Sequence, residues 1–400
     1  MSTAPPQVSS KLFGLFCLAS YLLSLSYGST FLLSLLIGSR GGNEHDAGSV
    51  ISAAMLSTFA AVMVSGHLSD LLGAARSIAL FGVLLVAASL GFALTPGFGH
   101  LLLFFGLLLG LGWGVFYTLG PIIVASLVTP AQRAKYFALL SGSMMTGIGS
   151  GPLLGRAASA LGYPVTAAFY LAALASLIGV LLFWRLDSQL KNAHTNSAAV
   201  SRISWGAAKQ VLASKALFPI IMVGLGGCVF GGLSSFQTSY ATSRSVDYSL
   251  FFFGFMGAAI SGRMLIARFV VKRDPLRASC LLSGLMMGSI VLFGFVVDSS
   301  FTYLLAAVTL GVGYGLTYTV INGLAANEAP TGTTAQALLL FSLSYFIGVF
   351  GFPLLAGKII VEHGMSTLLL TVLLIAVLNW LITVGRLLWR RASPQTLQHV

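Results

Sequence analysis

The chain has few charged residues. Asp, Glu, Lys and Arg together make up only 8% of the 400 residues, and just nine of them are acidic. Soluble domains carry roughly a quarter charged residues, so this shortage excludes an ordinary soluble protein. The hydrophobic share of 57% and the mean hydropathy of +0.95 indicate an integral membrane protein instead.

Cysteine is also scarce, and the usual catalytic groupings are missing. The three cysteines, Cys17, Cys228 and Cys280, lie inside apolar segments, which argues against a disulfide scaffold and against a zinc site. The chain has no HExxH motif, no paired intramembrane carboxylates and no Ser/His/Asp group that could act together. We therefore expect no enzyme activity, no cofactor and no bound metal. A sensor without transport is not expected either, because there is no extramembrane domain to receive a signal.

Positive charge is present but scattered. Lys and Arg number 21 and give a net charge of +12, in short clusters between apolar runs. A nucleic-acid binder gathers such residues on one solvated face, so no nucleic-acid partner is expected. If the N-terminus is cytoplasmic, only Arg40, Arg156, Arg244 and Lys358 lie outside. The positive-inside rule then predicts that both termini and the central connection are cytoplasmic.

The apolar runs predict twelve transmembrane helices, six on each side of a polar connection. The predicted fold class is an all-α membrane protein with two pseudo-symmetric six-helix bundles. Its predicted divisions are a disordered N-terminus (1–10), a first bundle (11–185), a cytoplasmic linker (186–215), a second bundle (216–389) and a cytoplasmic tail (390–400).

An internal repeat relates the two halves. Residues 109–118 (LGLGWGVFYT) match residues 310–319 (LGVGYGLTYT) at an offset of 201. At the same offset, Gly147 and Pro152 match Gly348 and Pro353. Two parallel repeats predict two bundles that face one another across a central cavity, which is the geometry of alternating access.

A short polar turn joins the second and third predicted helices. It contains the pattern Gly66-x-x-x-Asp70-x-x-Gly73-x-x-Arg76. This pattern resembles the loop signature of the major facilitator superfamily of secondary transporters, although two alanines replace the basic pair usual after the second glycine. The resemblance implies that these four residues form a conformational latch. It also implies a monomer in the lipid bilayer of a bacterial inner (plasma) membrane that moves a small-molecule substrate.

The fifth predicted helix carries Gly147-x-x-x-Gly151-Pro152-x-x-Gly155. This motif is similar to a signature associated with exporters of that superfamily. Small residues let helices touch closely and a proline permits a bend, so both simple packing and gating fit. Residues 322–330 resemble the arabinose-efflux-like branch, which exports sugars, drugs or metal-chelating metabolites. The resemblance thus implies efflux by proton antiport, with uptake of a sugar, amino acid or other metabolite as the alternative.

The resemblance further implies that helices 1, 4, 7 and 10 line the substrate cavity. Their aromatic and polar candidates are Tyr21, Ser26, Tyr27, Trp113, Tyr117, Phe236, Gln237, Tyr240, Tyr314, Tyr318 and Asn322. Aromatic faces with a few hydroxyls and amides suit a neutral or weakly charged amphiphilic substrate.

No Asp or Glu falls in the middle of a predicted helix. The candidates for a coupling proton are therefore His67, Asp70 and Glu328 near the inner surface, each of which also has a structural explanation. Arg263 is the deepest basic residue. Its side chain either snorkels to the cytoplasmic interface or contacts an anion, Glu328 or Asp274.

Overall fold

The computed structural model describes residues 9–129, 132–192, 204–263 and 274–392, and these residues form helices without any strand. Most of the predicted disordered N-terminus, part of the predicted linker and most of the predicted tail lie outside the described residues. In chain order the helices are α1 (Ser10–Ser29), α2 (Leu33–Gly38), α3 (Glu44–Leu72), α4 (Ala74–Leu94), α5 (His100–Leu127), α6 (Arg133–Ala160), α7 (Thr166–Asn192), α8 (Trp205–Leu212), α9 (Leu217–Ser235), α10 (Gln237–Ser243), α11 (Ser249–Ser261), α12 (Pro275–Phe295), α13 (Ser300–Asn327), α14 (Thr334–Phe346), α15 (Phe352–His363) and α16 (Met365–Ala392).

Eleven of the described helical segments are long and apolar enough to cross a membrane. The first span joins α1 to α2 through a 3₁₀ turn at Thr30–Leu32, and the eleventh joins α14 to α15 through a π-helical turn at Ile347–Gly351. The shorter apolar helix α11 takes the place of the predicted eighth span, whose expected end near residue 271 lies outside the described residues. The predicted all-α membrane fold with two bundles is confirmed.

The two ends of the spans define two faces of the molecule. The terminal face is the one at which α1 begins and α3 is followed by α4, and the opposite face is the one at which α2 is followed by α3. We call residues 10–192 the first half and residues 217–392 the second half. The charge pattern predicts that the terminal face is cytoplasmic.

Glycines of the internal repeat hold three helices close together in each half. A Cβ atom at Gly110 would collide with the α3 backbone, and one at Gly112 would lie 2.7 Å from a carbonyl oxygen of α4. At the matching Gly311, the Cβ atom would lie 2.9 Å from Ala258 of α11, and at Gly313 it would lie 2.6 Å from an amide nitrogen of α12. Alternate glycines thus let α5 and α13 each pack closely on two neighbours.

The two halves meet through two equivalent pairs of helices. The second span, α3, packs against α15 of the eleventh, and the fifth span, α6, packs against α11 in the position of the eighth. An exchange of the halves converts one pair into the other, as the sequence repeat requires. Helices α5 and α13 therefore face each other near the middle of this interface.

Candidate functional site

Aromatic side chains from both halves meet between α5 and α13. We call this cluster the aromatic centre; it consists of Tyr27, Trp113, Tyr117, Tyr318, Tyr345 and Phe346. Tyr27 stacks on Trp113 with ring centroids 4.7 Å apart, and Tyr117 meets the edge of Phe346 at 4.9 Å. The hydroxyls of Tyr117 and Tyr318 are hydrogen-bonded at 2.9 Å. The centre therefore offers aromatic faces and hydroxyl groups to any solute that lies between the halves.

The glycine packing explains why these rings face the interface. Because α5 and α13 turn their glycines towards neighbours of their own half, their larger side chains lie on the remaining side of each helix. Trp113 and Phe346 are fully buried, whereas Tyr117, Tyr318 and Tyr345 are partly exposed. The exposed part of the centre is thus formed by tyrosines.

Two predicted cavity residues of α1 lie within the first half. The Ser26 hydroxyl lies 2.5 Å from that of Ser176 on α7, and the Tyr21 hydroxyl donates to Ser150 of α6 at 3.3 Å. Both contacts join helices of the same bundle. The hydroxyls of these two residues therefore bind neighbours in the first half.

Three predicted cavity residues lie at the break between α9 and α10. Phe236 is buried at this break, and the Gln237 side-chain oxygen accepts a hydrogen bond of 2.7 Å from the Tyr303 hydroxyl. The Tyr240 hydroxyl donates to the carbonyl oxygen of Phe293 at 2.6 Å. These bonds all lie inside the second half, so the structure does not bring this group into the aromatic centre either.

The two remaining predicted residues lie on α13 near the centre. Tyr314 stacks on Phe230 of α9 at 5.2 Å, one turn before Tyr318, and Asn322 lies one turn beyond Tyr318. Tyr345 of α14 was missed, because the resemblance placed only helices 1, 4, 7 and 10 at the cavity. The aromatic pair Tyr345-Phe346, close to the repeated Gly348, was the signal that could have found it.

The two halves are joined at the opposite face. The Ser34 and Thr238 hydroxyls lie 2.6 Å apart, and the Ser52 hydroxyl donates to the carbonyl oxygen of Phe350 at 2.7 Å. An ion pair joins Arg156 to Asp247 at 2.5 Å. These contacts close the space between the halves on this side of the aromatic centre.

The charge state of Asp247 favours this closure. Burial alone would raise the pKa of the carboxyl group, but hydrogen bonds from Arg156 and Ser249 outweigh it and hold the pKa below its ordinary value. The carboxylate is therefore charged whenever this ion pair is formed near neutral pH.

The predicted latch residues surround the turn between α3 and α4. Gly73 has φ of +87°, a conformation that side chains rarely adopt, and a Cβ atom there would lie 2.9 Å from the Lys191 side chain. Gly66 is buried, whereas His67 and Asp70 are exposed. The backbone conformation thus requires the second glycine of the motif, whereas the flexible end of the Lys191 side chain could move aside.

Arg76 of the predicted latch pairs with an acid that sequence reasoning did not find. Its Nε atom lies 2.7 Å from Asp187 on α7, and Lys191 lies 3.0 Å from the same carboxylate. The Asp187 side chain is only 4% exposed. A cavity of about 170 Å³ adjoins this cluster and is lined by residues that include Ser69, Gly73, Ser126, Asp187 and Lys191.

Glu328 and Asp274 have partners on α16. Glu328 forms an ion pair with Arg386, and Asp274 forms one with Arg390. Both pairs join helices of the second half, as the pair of Arg76 and Asp187 joins helices of the first. Ion pairs between described residues at the terminal face thus stabilise each bundle separately.

The glycines of the fifth-helix motif all face the first span. A Cβ atom at Gly147 would collide with the carbonyl oxygen of Tyr21, one at Gly151 would lie 2.6 Å from the Ser29 amide nitrogen, and one at Gly155 would collide with Leu32. Pro152 lies inside α6, which continues without interruption. This arrangement shows close helix packing, and gating by the motif stays a prediction.

Arg263 extends neither to the terminal face nor to the acids considered for it. Its Nη1 atom donates to the Ser141 hydroxyl of α6 at 2.7 Å, and its Nε atom donates to the Gly315 carbonyl oxygen of α13 at 3.3 Å. The guanidinium carbon lies 5.5 Å from the centre of the Tyr318 ring. The snorkelling interpretation is therefore wrong in this conformation, and Arg263 borders the aromatic centre.

Comparison with known proteins agrees with this architecture. The family model of the Major Facilitator Superfamily matches residues 14–353. An uncharacterised MFS-type transporter of Methanocaldococcus jannaschii is 22% identical over 232 residues, which cover 57% of this chain. The chain spans 59% of the length of this curated relative in that match.

Solved transporter structures share the fold over almost the whole chain. The human organic anion transporter MFSD10 is 17% identical with a TM-score of 0.67, and covers 94% of this chain and 100% of its own. The nucleoside transporter NupG is 16% identical with a TM-score of 0.73, over 94% and 98% of the two chains. A peptide transporter of the POT family is 13% identical with a TM-score of 0.71, over 98% of each.

At these identities the structural likeness establishes the fold, and the family match establishes membership. One family of membrane proteins, which transports small molecules, has these spans, these repeated halves and this interface. The chain belongs to the Major Facilitator Superfamily.

Proposed function

We propose that this chain exports a small organic solute by alternating access, with the aromatic centre as the place where the solute binds. One observation carries the proposal. The centre lies between the two halves, and hydrogen bonds and an ion pair close the halves at the opposite face. A solute from the terminal face, which is predicted to be cytoplasmic, would be held there until the halves rock and open the other side.

Several further features support a small organic cargo and export. The transporters of similar structure are named for organic anions, nucleosides and peptides. The exporter-type motif of α6 favours efflux over uptake. Partly exposed tyrosines combine apolar faces with hydroxyl groups, which is the usual composition of small-molecule sites.

Proton antiport is the proposed energy source. Glu328 is the leading candidate for the proton site, because its side chain is only 18% exposed and lies in an ion pair with Arg386 of α16. His67 and Asp70 are exposed on α3 and are the other candidates.

Flux into vesicles tests the proposal. Purified protein in liposomes is given radiolabelled antibiotics, sugars, amino acids and metallophores, with and without a pH gradient, and transport is compared in everted and right-side-out membrane vesicles. Export predicts proton-driven accumulation in everted vesicles that a protonophore abolishes. Accumulation only in right-side-out vesicles would indicate uptake, and the failure of every solute to move would contradict the proposed transport.

A further inference from the structure

Arg263 connects the two halves next to the aromatic centre. It follows α11 in the second half, yet its Nη1 atom binds Ser141 and the Met145 sulfur atom of the first half, at 2.7 and 3.0 Å. Its Nε atom binds the Gly315 carbonyl oxygen, and its guanidinium lies over the Tyr318 ring. The residue therefore reaches across the interface through which a solute would pass.

The guanidinium lies well inside the span. Ser141 lies eight residues beyond the start of α6, which corresponds to a depth of about 12 Å from that helix end. A positive charge at such a depth is costly and is usually retained for a functional reason. The cost is offset in part by the serine hydroxyl, the carbonyl oxygen and the tyrosine face.

The contacts of Arg263 leave its charge unneutralised. Hydroxyl, thioether, carbonyl and aromatic groups surround it, and none of the ion pairs between described residues includes it. The two acids considered as partners of Arg263 have other partners. Glu328 is paired with Arg386, and Asp274 is paired with Arg390. An anion could therefore bind this guanidinium without displacing a carboxylate.

The surroundings also define the rest of the ligand. Tyr318 stacks edge-on with Tyr345 at 5.5 Å, and Tyr117 lies within hydrogen-bond distance of Tyr318. An aromatic or apolar body would pack on these faces while an acidic group reaches Arg263. A cationic solute would be repelled by the same guanidinium.

We propose that the transported solute is an organic acid with an apolar body, whose carboxylate replaces Ser141 on the guanidinium of Arg263. This inference rests on the proposed function and narrows the expectation of a neutral or weakly charged amphiphilic substrate to an acid. Since the bond from Arg263 to Ser141 joins the two halves, its replacement would also loosen the contact between them.

Matched pairs of probes test the charge requirement. Benzoate, phenylacetate and cinnamate are compared with their primary amides, which have nearly the same shape but no charge. Protein in proteoliposomes is assayed by counterflow, and thermal unfolding in detergent measures binding independently of transport. We expect each carboxylate to act at about a tenfold lower concentration than its amide, because hydrogen bonds to a charged group are the stronger ones.

Two arginine variants separate the site from general effects of charge. Arg263→Gln should abolish the preference for the carboxylate. Arg244→Gln is the matched control and should keep it, because Arg244 also binds backbone carbonyl oxygens and lies 5.9 Å from a tyrosine ring, that of Tyr240, but borders the opposite face. Equal action of amide and carboxylate on the native protein, or a preference that persists in Arg263→Gln, would overturn the inference.

A serine variant keeps the test decisive if Arg263→Gln does not fold. Ser141→Ala removes the hydroxyl that competes for the Nη1 atom, leaves the weaker contact with the Met145 sulfur atom, and should maintain or strengthen carboxylate binding relative to the amide. Equal weakening of both probes by this variant would contradict the inference. If neutral or cationic solutes move and carboxylates do not, the substrate class is wrong while the proposed transport stands. If no solute moves, both fail.

Discussion

The hydroxyl oxygens of Tyr117 and Tyr318 lie 2.9 Å apart, and the two residues occupy the same position in the two copies of the internal repeat. The hydrogen bond therefore crosses the pseudo-symmetry axis of the molecule at the aromatic centre. When the halves separate on the terminal side of the centre, this bond has to break.

A double-mutant cycle should reveal this bond as a contact between the halves. Tyr117→Phe and Tyr318→Phe should each destabilise the state in which the bond is formed by about 1 kcal/mol. The double variant should be destabilised by little more than either single variant, because both remove the same bond. Distances between spin labels across the terminal face measure the balance of states. Tyr303→Phe is the control, because its bond to Gln237 lies within the second half and its loss should leave that balance unchanged.

Acid should weaken the closure at the opposite face. The pKa of Asp247 is lowered while it is paired with Arg156, so the pair stabilises the closed state above the ordinary pKa of the carboxyl group. This stabilisation is lost as the pH falls through the lowered pKa. Spin labels at the exposed Phe98 and Phe301 positions should move apart in acid, and in Asp247→Asn they should already be further apart at neutral pH.

The control for this experiment is an ion pair on the same face that lies within one helix. Glu362 and Lys358 both belong to α15 and are 3.9 Å apart. Glu362→Gln should leave the separation of the labels unchanged. A separation that is independent of pH and of Asp247→Asn would show that the ion pair does not hold the face closed.

The fifth-helix glycines should be sensitive to a single methyl group. Gly147→Ala should lower the free energy of unfolding by about 1–3 kcal/mol, because the new Cβ atom would collide with the α1 backbone. Gly142→Ala on the same helix has nothing within 4 Å of the new atom and should be neutral or stabilising by up to about 1 kcal/mol. Thermal unfolding in detergent compares the two, and equal stability would refute the packing explanation.

Asp187→Asn should have a larger effect than Asp70→Asn. Asp187 is 4% exposed and binds both Arg76 and Lys191, so the loss of its charge should cost about 2 kcal/mol. Asp70 is exposed to solvent, where charge interactions are weaker. Thermal stability and transport of both variants give the measurement, and a locked, inactive Asp70→Asn would show that the loop motif acts through Asp70 itself.

The sequence was sufficient for the spans and for the relationship between the halves. Both follow from local properties, namely the length of apolar runs and a repeat that includes Gly110 and Gly311. It was not sufficient for partners that are far apart in the chain. The pair of Arg76 with Asp187 depends on how α4 packs against α7, and the contact of Arg263 with Ser141 depends on how the two halves dock.

For a related reason, the sequence did not show which of the predicted cavity residues lie in the aromatic centre. The assignment of helices to the cavity does not say which side of each helix faces it. Ser26 and Gln237 are on the expected helices but bind neighbours in their own half. Tyr345 is on a helix that was left out, and it borders Tyr117 and Tyr318.

The π-helical turn at Ile347–Gly351 has no counterpart in α6, although Pro152 and Pro353 match in the repeat. A π turn replaces the regular hydrogen bonds of the helix with a wider set, so the eleventh span is easier to deform at this turn, whereas α6 stays α-helical through Pro152. Matching positions of the repeat thus have different backbone structures in the fifth and eleventh spans. When the two bundles rock, we expect the eleventh span to bend first at this turn, next to Tyr345 and Phe346. The fifth span, its symmetry mate, has no such turn.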